Sequence, residues 1–257
     1  MIQEEQIKRT KINNLIQTTP KGLVLLSTWL ASEGYPYELQ QRYRRSYWLK
    51  SIGKGAMLKT SDSLTLSGAI SALQKQANLD IHIGGRSALE LSGVAHYLQV
   101  NLDEITLFTE SKSSLPLWFT NNRWDAKPKI FNLSLFREDK TGLTIYQDGE
   151  LTMNISGAAR AMMECLSLCP NQFPLIEAYE LMEGLVTLRP AQIQTLLEQC
   201  KSVKVKRLFL YFAEKAAHSW FKYIDTQSVD LGSGVRSLLN KGAFVSKYQL
   251  VLPKELV

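Results

Sequence analysis

The sequence predicts an α/β (α+β) chain, with a winged helix-turn-helix over residues 1–78 and a mixed α/β domain over residues 79–257. Three observations carry that prediction. The formal charge of +6 lies wholly in the first 60 residues, which hold ten Lys or Arg against four Asp or Glu, while the remainder is balanced. Those same residues carry, in order, two apolar-periodic segments, a glycine turn, a basic helix and a glycine hairpin. Behind them strands come first and helices after, which is the order of a mixed domain rather than of alternating βαβ units.

Taking the elements in turn, Ile7, Ile12, Leu15 and Ile16 recur at helical spacing, and Thr18-Thr19-Pro20 ends that first helix because proline disfavours helical geometry in the residue before it. A second run, Leu23 to Ala31, stops at Gly34, and Pro36 suits the first position of a third helix. In that helix, Tyr37 to Arg45, Leu39 and Tyr43 face the core at i and i+4, leaving Tyr37, Gln40, Gln41, Arg44 and Arg45 to point outward. Glutamine pairs with adenine and arginine with guanine in the major groove, so this face has the chemistry of base reading. Tyr47 to Ile52, the turn Gly53-Lys54-Gly55 and Ala56 to Lys59 form a β-hairpin, where Lys50, Lys54 and Lys59 are placed to neutralise phosphates. Tyr43 and Trp48 are expected to pack in the core. The ordered set points to double-stranded DNA as the ligand.

Three cysteines make no even-numbered disulfide framework, and with three histidines there is no pair at metal-ligand spacing, so neither metal nor cofactor is expected. No run reaches the roughly 18 apolar residues of a membrane span, and the first 19 residues lack the apolar core of a signal peptide. The expectation is a cytoplasmic protein that contacts no membrane.

Leu64 to Ala77 reads as a helix capping the N-terminal module. Asp80 to Ile83 then forms a strand that passes through Gly84-Gly85 into a helix, followed by a strand at Ile105 to Phe108. Two readings of the glycine pair stand side by side: an anion cradle assisted by Arg86, or a close strand-to-helix turn.

The strings SYWLKSIGKGAML, LTLSGAISALQKQ and HIGGRSALELSGVAHYL are together similar to the AbiEi antitoxin family of bacterial type IV toxin–antitoxin systems. The similarity continues at Leu115 to Phe119, Ile155 to Glu164 and Val203 to Tyr211, and so runs over nearly the whole chain. The resemblance implies an N-terminal domain that represses its own operon at an inverted-repeat operator. It also implies a C-terminal domain that counters a nucleotidyltransferase-like toxin encoded alongside. The chain departs from the family pattern at Tyr47, where a glycine is expected before the tryptophan of the first wing strand.

In the C-terminal half, Lys129 to Phe136 and Gly142 to Tyr146 read as strands, and Asp148-Gly149 reads as a type I′ turn into Leu151 to Ile155. Ser156 is placed to cap a helix over Ala158 to Leu168, and further helices follow at Phe173 to Leu185, Pro190 to Cys200 and Val203 to Ala217. Lys201, Lys204, Lys206 and Arg207 form a second basic cluster, either a surface for DNA phosphate or an acidic partner, or simply a solvated face. No active site and no small-molecule substrate are expected. Asp139, Asp148, Glu150 and Glu164 are scattered and read as solvated surface, Cys165 and Cys169 share a helix face as small core residues, and His218 packs beside Trp220. A transcription factor without a toxin, and a nuclease-like enzyme with a DNA-binding tail, are the alternatives that share the N-terminal features.

Overall fold

The computed structural model describes residues 11–93, 103–109, 115–239 and 242–257. The chain divides into two compact units, one holding Met1–Ile81, Ser111–Lys127 and Tyr146–Met153, the other His82–Glu110, Pro128–Ile145 and Asn154–Val257.

In the first unit, α1 (Lys11–Thr18) leads to β1 (Leu25–Leu26), α2 (Ser27–Ser32), α3 (Tyr37–Arg45), β2 (Leu49–Gly53), β3 (Ala56–Lys59) and α4 (Leu66–Lys75). Ile7 lies outside the described residues. Helix α1 stops where Pro20 requires, and the hydroxyl of Thr19 donates to the Leu15 carbonyl at 2.6 Å to satisfy its last turn. The helix expected over Leu23 to Ala31 is split, because Leu25 and Leu26 pair as strand residues with Met57 and Ala56. Tertiary pairing overrides helical propensity here: both leucines become fully buried in a strand, and α2 begins only at Ser27, whose N–H donates to the Gly55 carbonyl. The outer edge of β1 is closed by the side chain of Gln76, which accepts from the Leu26 N–H and donates to the Val24 carbonyl, each at 2.7 Å.

Strand β3 is central in the order β1-β3-β2, and all four of its residues are buried. Leu15, Leu25, Leu30, Tyr35, Tyr43, Leu49 and Met57 form one core cluster, with Ile12, Leu23, Trp29 and Leu39 packed on it. Each fully buried leucine contributes about 1.5–3 kcal/mol, so this small core is sufficient to fix α3 against the hairpin. Trp48 is not in it: at 47% exposed it corrects the expectation of core packing.

The second unit holds β5 (Glu104–Thr109) whole and parts of β4 (Ile81–Ile83), β6 (Lys127–Asn132), β7 (Leu143–Asp148) and β8 (Leu151–Ser156), strands of a five-stranded sheet in the order β6-β5-β4-β8-β7. Strands β4 and β8 are parallel, with Ile83 opposite Ile155. Its helices are α5 (Gly85–Leu91), α7 (Ala158–Leu168), α8 (Leu175–Glu183), α9 (Pro190–Gln199) and α10 (Val203–Lys215), while the four-residue α6 (Leu117–Thr120) belongs to the first unit. The strand expected to reach Phe136 ends at Asn132. At the β7–β8 turn only Gly149 has positive φ, so the type I′ geometry, which needs two such residues, does not form. Ser156 ends β8 instead of capping α7, whose N-cap is Gly157. Three strands of two or three residues, β9 (Arg236–Ser237), β10 (Ala243–Val245) and β11 (Leu250–Leu252), make a further small sheet too short to leave a periodic signal in the sequence.

Candidate nucleic-acid interface

Helix α3 begins after Pro36 and ends in a left-handed residue, Tyr47, at φ 58°. The Tyr47 N–H bonds to the Arg44 carbonyl and the Trp48 N–H to the Tyr43 carbonyl, the paired bonds of a Schellman motif. The position where the resemblance calls for glycine is thus one whose backbone favours glycine, and Tyr47 holds it with 82% of its surface exposed.

Tyr37, Gln41, Arg44 and Arg45 lie along one stripe of α3, and all four are exposed. The stripe borders an open cleft that also touches Ser27, Ser51, Gly53, Gly55 and Met57, so the helix and the hairpin turn face a common space. Lys54 sits exposed at the tip of that turn. Arg42, Arg44 and Arg45 also occupy the last turn of α3, where cations complement the negative end of the helix dipole.

Three of the residues assigned to this face by sequence are engaged within the fold. Gln40 is a correction: only 2% exposed, its amide nitrogen donates to the Tyr35 carbonyl at 2.7 Å and the Ser27 carbonyl at 2.9 Å, and its oxygen accepts from the Ser27 hydroxyl. It ties α3 to the start of α2 and has no amide donor left for a base. Lys59 is a second correction, buried with its ammonium donating to the Thr19 carbonyl at 2.8 Å and 3.6 Å from Asp62. Lys50 is exposed, but its ammonium donates to the carbonyls of Asp62 and Thr60 at 2.7 and 3.2 Å, leaving one donor.

The second basic cluster resolves into structural roles. Arg207 is buried and donates to the carbonyls of Leu231, Gly232, Gly234 and Gln249, gathering loop carbonyls around one guanidinium. Lys206 is buried; the Lys204 ammonium caps the end of α7 through Ser167 and Cys169 carbonyls at 2.8 and 2.6 Å; the exposed Lys201 donates to the Ser134 hydroxyl. Both readings of the cluster, charged surface and solvated face, are therefore corrected for Lys206 and Arg207.

The glycine pair is a close turn, and its anion is internal. The Gly85 N–H donates to Glu164 Oε2 at 2.9 Å, and a Cβ on Gly84 would lie 2.2 Å from that same oxygen. Arg86 is engaged by Glu90 and Glu177. Glu164, read as solvated, is fully buried and also accepts from Arg160, Ser156 and His82. Burial alone would raise its pKa; the charges and hydrogen bonds of His82 and Arg160 outweigh burial and hold it below the usual carboxylate value.

The three thiols are free and buried; burial raises all three pKa values, pushing the Cys169 thiol up to about 12. His218 stacks on Trp220 and bonds to the Met182 carbonyl, as packing. Among the described residues no three His, Cys, Asp or Glu side chains are grouped to hold a metal, and no helix is long and apolar enough to cross a membrane.

Fold and site together define an α+β protein that presents an arginine-bearing helix beside a basic hairpin turn. The chain belongs to the AbiEi antitoxin family: residues 102–253 match the model described as transcriptional regulator, AbiEi antitoxin, type IV TA system. Residues 8–100 match that of the AbiEi antitoxin N-terminal domain. Among solved structures, the RV2827C protein from Mycobacterium tuberculosis shares the fold at a TM-score of 0.59 and 14% identity, over 93% of this chain and 89% of that one. No curated protein matches the chain.

Proposed function

We propose that residues 1–78 form a winged helix-turn-helix that binds double-stranded DNA at an inverted-repeat operator and represses the chain's own operon. Residues 79–257 then form the antitoxin domain, which counters a nucleotidyltransferase-like toxin encoded alongside. The observation that carries the DNA reading is the exposed stripe of Tyr37, Gln41, Arg44 and Arg45 on α3, of which Tyr37, Gln41 and Arg44 line one cleft with the hairpin turn that bears Lys54. The stripe supplies base-reading groups and Lys54 a phosphate partner, and the chain's whole charge excess falls in the same 60 residues. The family description, a transcriptional regulator and antitoxin, supports both halves of the reading.

The test uses a duplex of the promoter upstream of the chain's own gene and a shuffled duplex of equal length. Arg44→Ala removes a bidentate guanine contact and should cost about 1–3 kcal/mol on the promoter while leaving the shuffled duplex nearly unaffected. Equal loss on both duplexes would show that Arg44 does not read bases. Co-expression of the full chain with the neighbouring gene tests the antitoxin half: growth should be restored by the chain and by its Arg44→Ala variant alike, and continued growth arrest would refute it.

A further inference from the structure

The hairpin turn is gripped by a segment far along the chain. Residues 115–127 belong to the first unit, and within it α6 lies on β2. Strand β2 is irregular between Ser51 and Gly53, where its register against β3 slips, so the ladder skips Ile52 and resumes at Gly53 opposite Ala56. Asn122 supplies what the ladder lacks. Its side-chain nitrogen donates to the Ile52 carbonyl at 2.7 Å and to the Trp118 carbonyl at 2.6 Å, which uses both of its hydrogens. Trp118 is seated so closely that a Cβ on Gly53 would come within 2.8 Å of the tryptophan Cβ, and Gly53 itself has φ +147°. Trp118 is buried and meets Phe119 and Trp124 edge-on, while the Trp124 indole N–H donates to the Phe119 carbonyl at 3.0 Å. The clamp therefore has a stiff base of three aromatic rings.

Lys54 is the next residue after the gripped one. We infer that Asn122 and Trp118 are positioning residues for DNA binding: they hold the bulged end of β2 so that Lys54 is presented to a phosphate in one fixed place. The inference rests on the DNA reading given above. It adds that full DNA affinity requires residues 115–127, although all of the charge excess and every base-reading candidate lie before residue 60. A wing without the clamp has the same charge but must order its turn on binding, and that ordering weakens the complex.

The experiment is a salt titration of full-length chain on the promoter and shuffled duplexes for wild type, Asn122→Ala, Lys54→Ala, the double variant and Leu117→Ala, an exposed neighbour on α6. Lys54→Ala and Asn122→Ala should each weaken both duplexes roughly three- to five-fold. Lys54→Ala should also make the salt slope shallower by about one counterion, whereas Asn122→Ala, which keeps the charge and adds only the ordering of the turn, should leave the slope close to wild type. Leu117→Ala should match wild type. The distinguishing result is the double variant: if the clamp acts through Lys54, adding Asn122→Ala to Lys54→Ala should change nothing further. Thermal unfolding checks that each variant is folded, and Gly53→Ala, which forces the same contact apart from the wing side, gives a second measurement should Asn122→Ala fold poorly. If wild type binds neither duplex, or Lys54→Ala binds as wild type does, the DNA reading and the clamp both fall. If Lys54→Ala behaves as stated while Asn122→Ala and Gly53→Ala bind like wild type, or their losses add fully to that of Lys54→Ala, the clamp alone is overturned.

Discussion

Replacing Glu164 by glutamine exchanges one carboxylate oxygen for an amino group and deletes a charge inside the second unit. The wild-type carboxylate is ringed by donors: Arg160 Nε at 2.9 Å and the Ser156 hydroxyl at 2.9 Å on Oε1, the Gly85 N–H at 2.9 Å and the same hydroxyl at 2.8 Å on Oε2, and His82 Nε2 at 2.9 Å from Oε1. Whichever oxygen becomes nitrogen, a donor then faces a donor, since neither the Gly85 amide nor the Arg160 guanidinium can accept. Arg160 is itself buried and keeps its charge. Breaking a buried ion pair by removing one partner costs about 3–5 kcal/mol, against a total stability of about 5–15 kcal/mol. The urea midpoint of Glu164→Gln at neutral pH should therefore fall by a large fraction of the wild-type value. The sign of the pH dependence follows from the lowered pKa. A carboxyl whose folded pKa lies below its unfolded value stabilises above the unfolded value, about 4.3 for glutamate, and that contribution is lost as pH falls through the folded value. Wild type should lose stability more steeply in acid than the variant, by up to one proton. A neutral-pH loss below about 1 kcal/mol, the size of an exposed pair, would refute the reasoning.

Two further outcomes separate fold from function on α3. Gln40→Ala should destabilise the chain by about 1–3 kcal/mol, because the Ser27 and Tyr35 carbonyls lose a donor, whereas Gln41→Ala should stay within about 0.5 kcal/mol of wild type. Thermal unfolding decides it, and equal effects at the two positions would contradict the assignment of Gln40 to a bonded, buried place and Gln41 to an exposed one. Tyr47→Gly should raise stability by about 0.5–1 kcal/mol, since relief of left-handed strain of about 1–2 kcal/mol exceeds the added freedom of glycine in the unfolded chain. A less stable glycine variant would mean that the exposed ring contributes packing the geometry does not show.

What the sequence made legible was whatever depends on local periodicity. Leu15, Leu30, Leu39 and Tyr43 declare themselves at helical spacing, and all reach or flank the core of the first unit. Gln40 escaped because periodicity ranks positions by polarity: at about 100° per residue it lies only about 60° round the helix from Tyr43, at the border of the buried face. A polar side chain there is decided by whether a neighbouring turn has carbonyls to satisfy, and Ser27 and Tyr35 supply them. Glu164, Lys59 and Arg207 were opaque for a related reason. Arg160 and Asp62 do stand at i−4 and i+3 from Glu164 and Lys59, a spacing equally common on solvated faces, while the partners that mark burial, His82, Thr19 and Leu231, lie 82, 40 and 24 residues away along the chain. Tyr47 is a different case: the sequence marked it only as a place where the family pattern expects glycine, and the structure shows its backbone to be left-handed.

The same distinction governs how the charge should be read. Counting cations over the first 60 residues overstates what a polyanion could meet. Lys59 is spent inside the first unit, Lys50 holds two carbonyls, and the Lys11 ammonium donates to the Gly34 carbonyl at 3.0 Å. Among the described residues, Lys21, Arg42, Arg44, Arg45 and Lys54 are exposed without such a side-chain bond to the fold, the arginines along the last turn of α3 and Lys54 at the tip of the hairpin, while Lys8 and Arg9 lie outside the described residues. A buried lysine shared among carbonyls releases no counterion when DNA arrives, so only exposed cations set the salt dependence. On the proposed DNA reading, the charge count sets only the ligand class to expect, and the exposed cations at the end of α3 and the tip of the hairpin are the ones the salt titration tests.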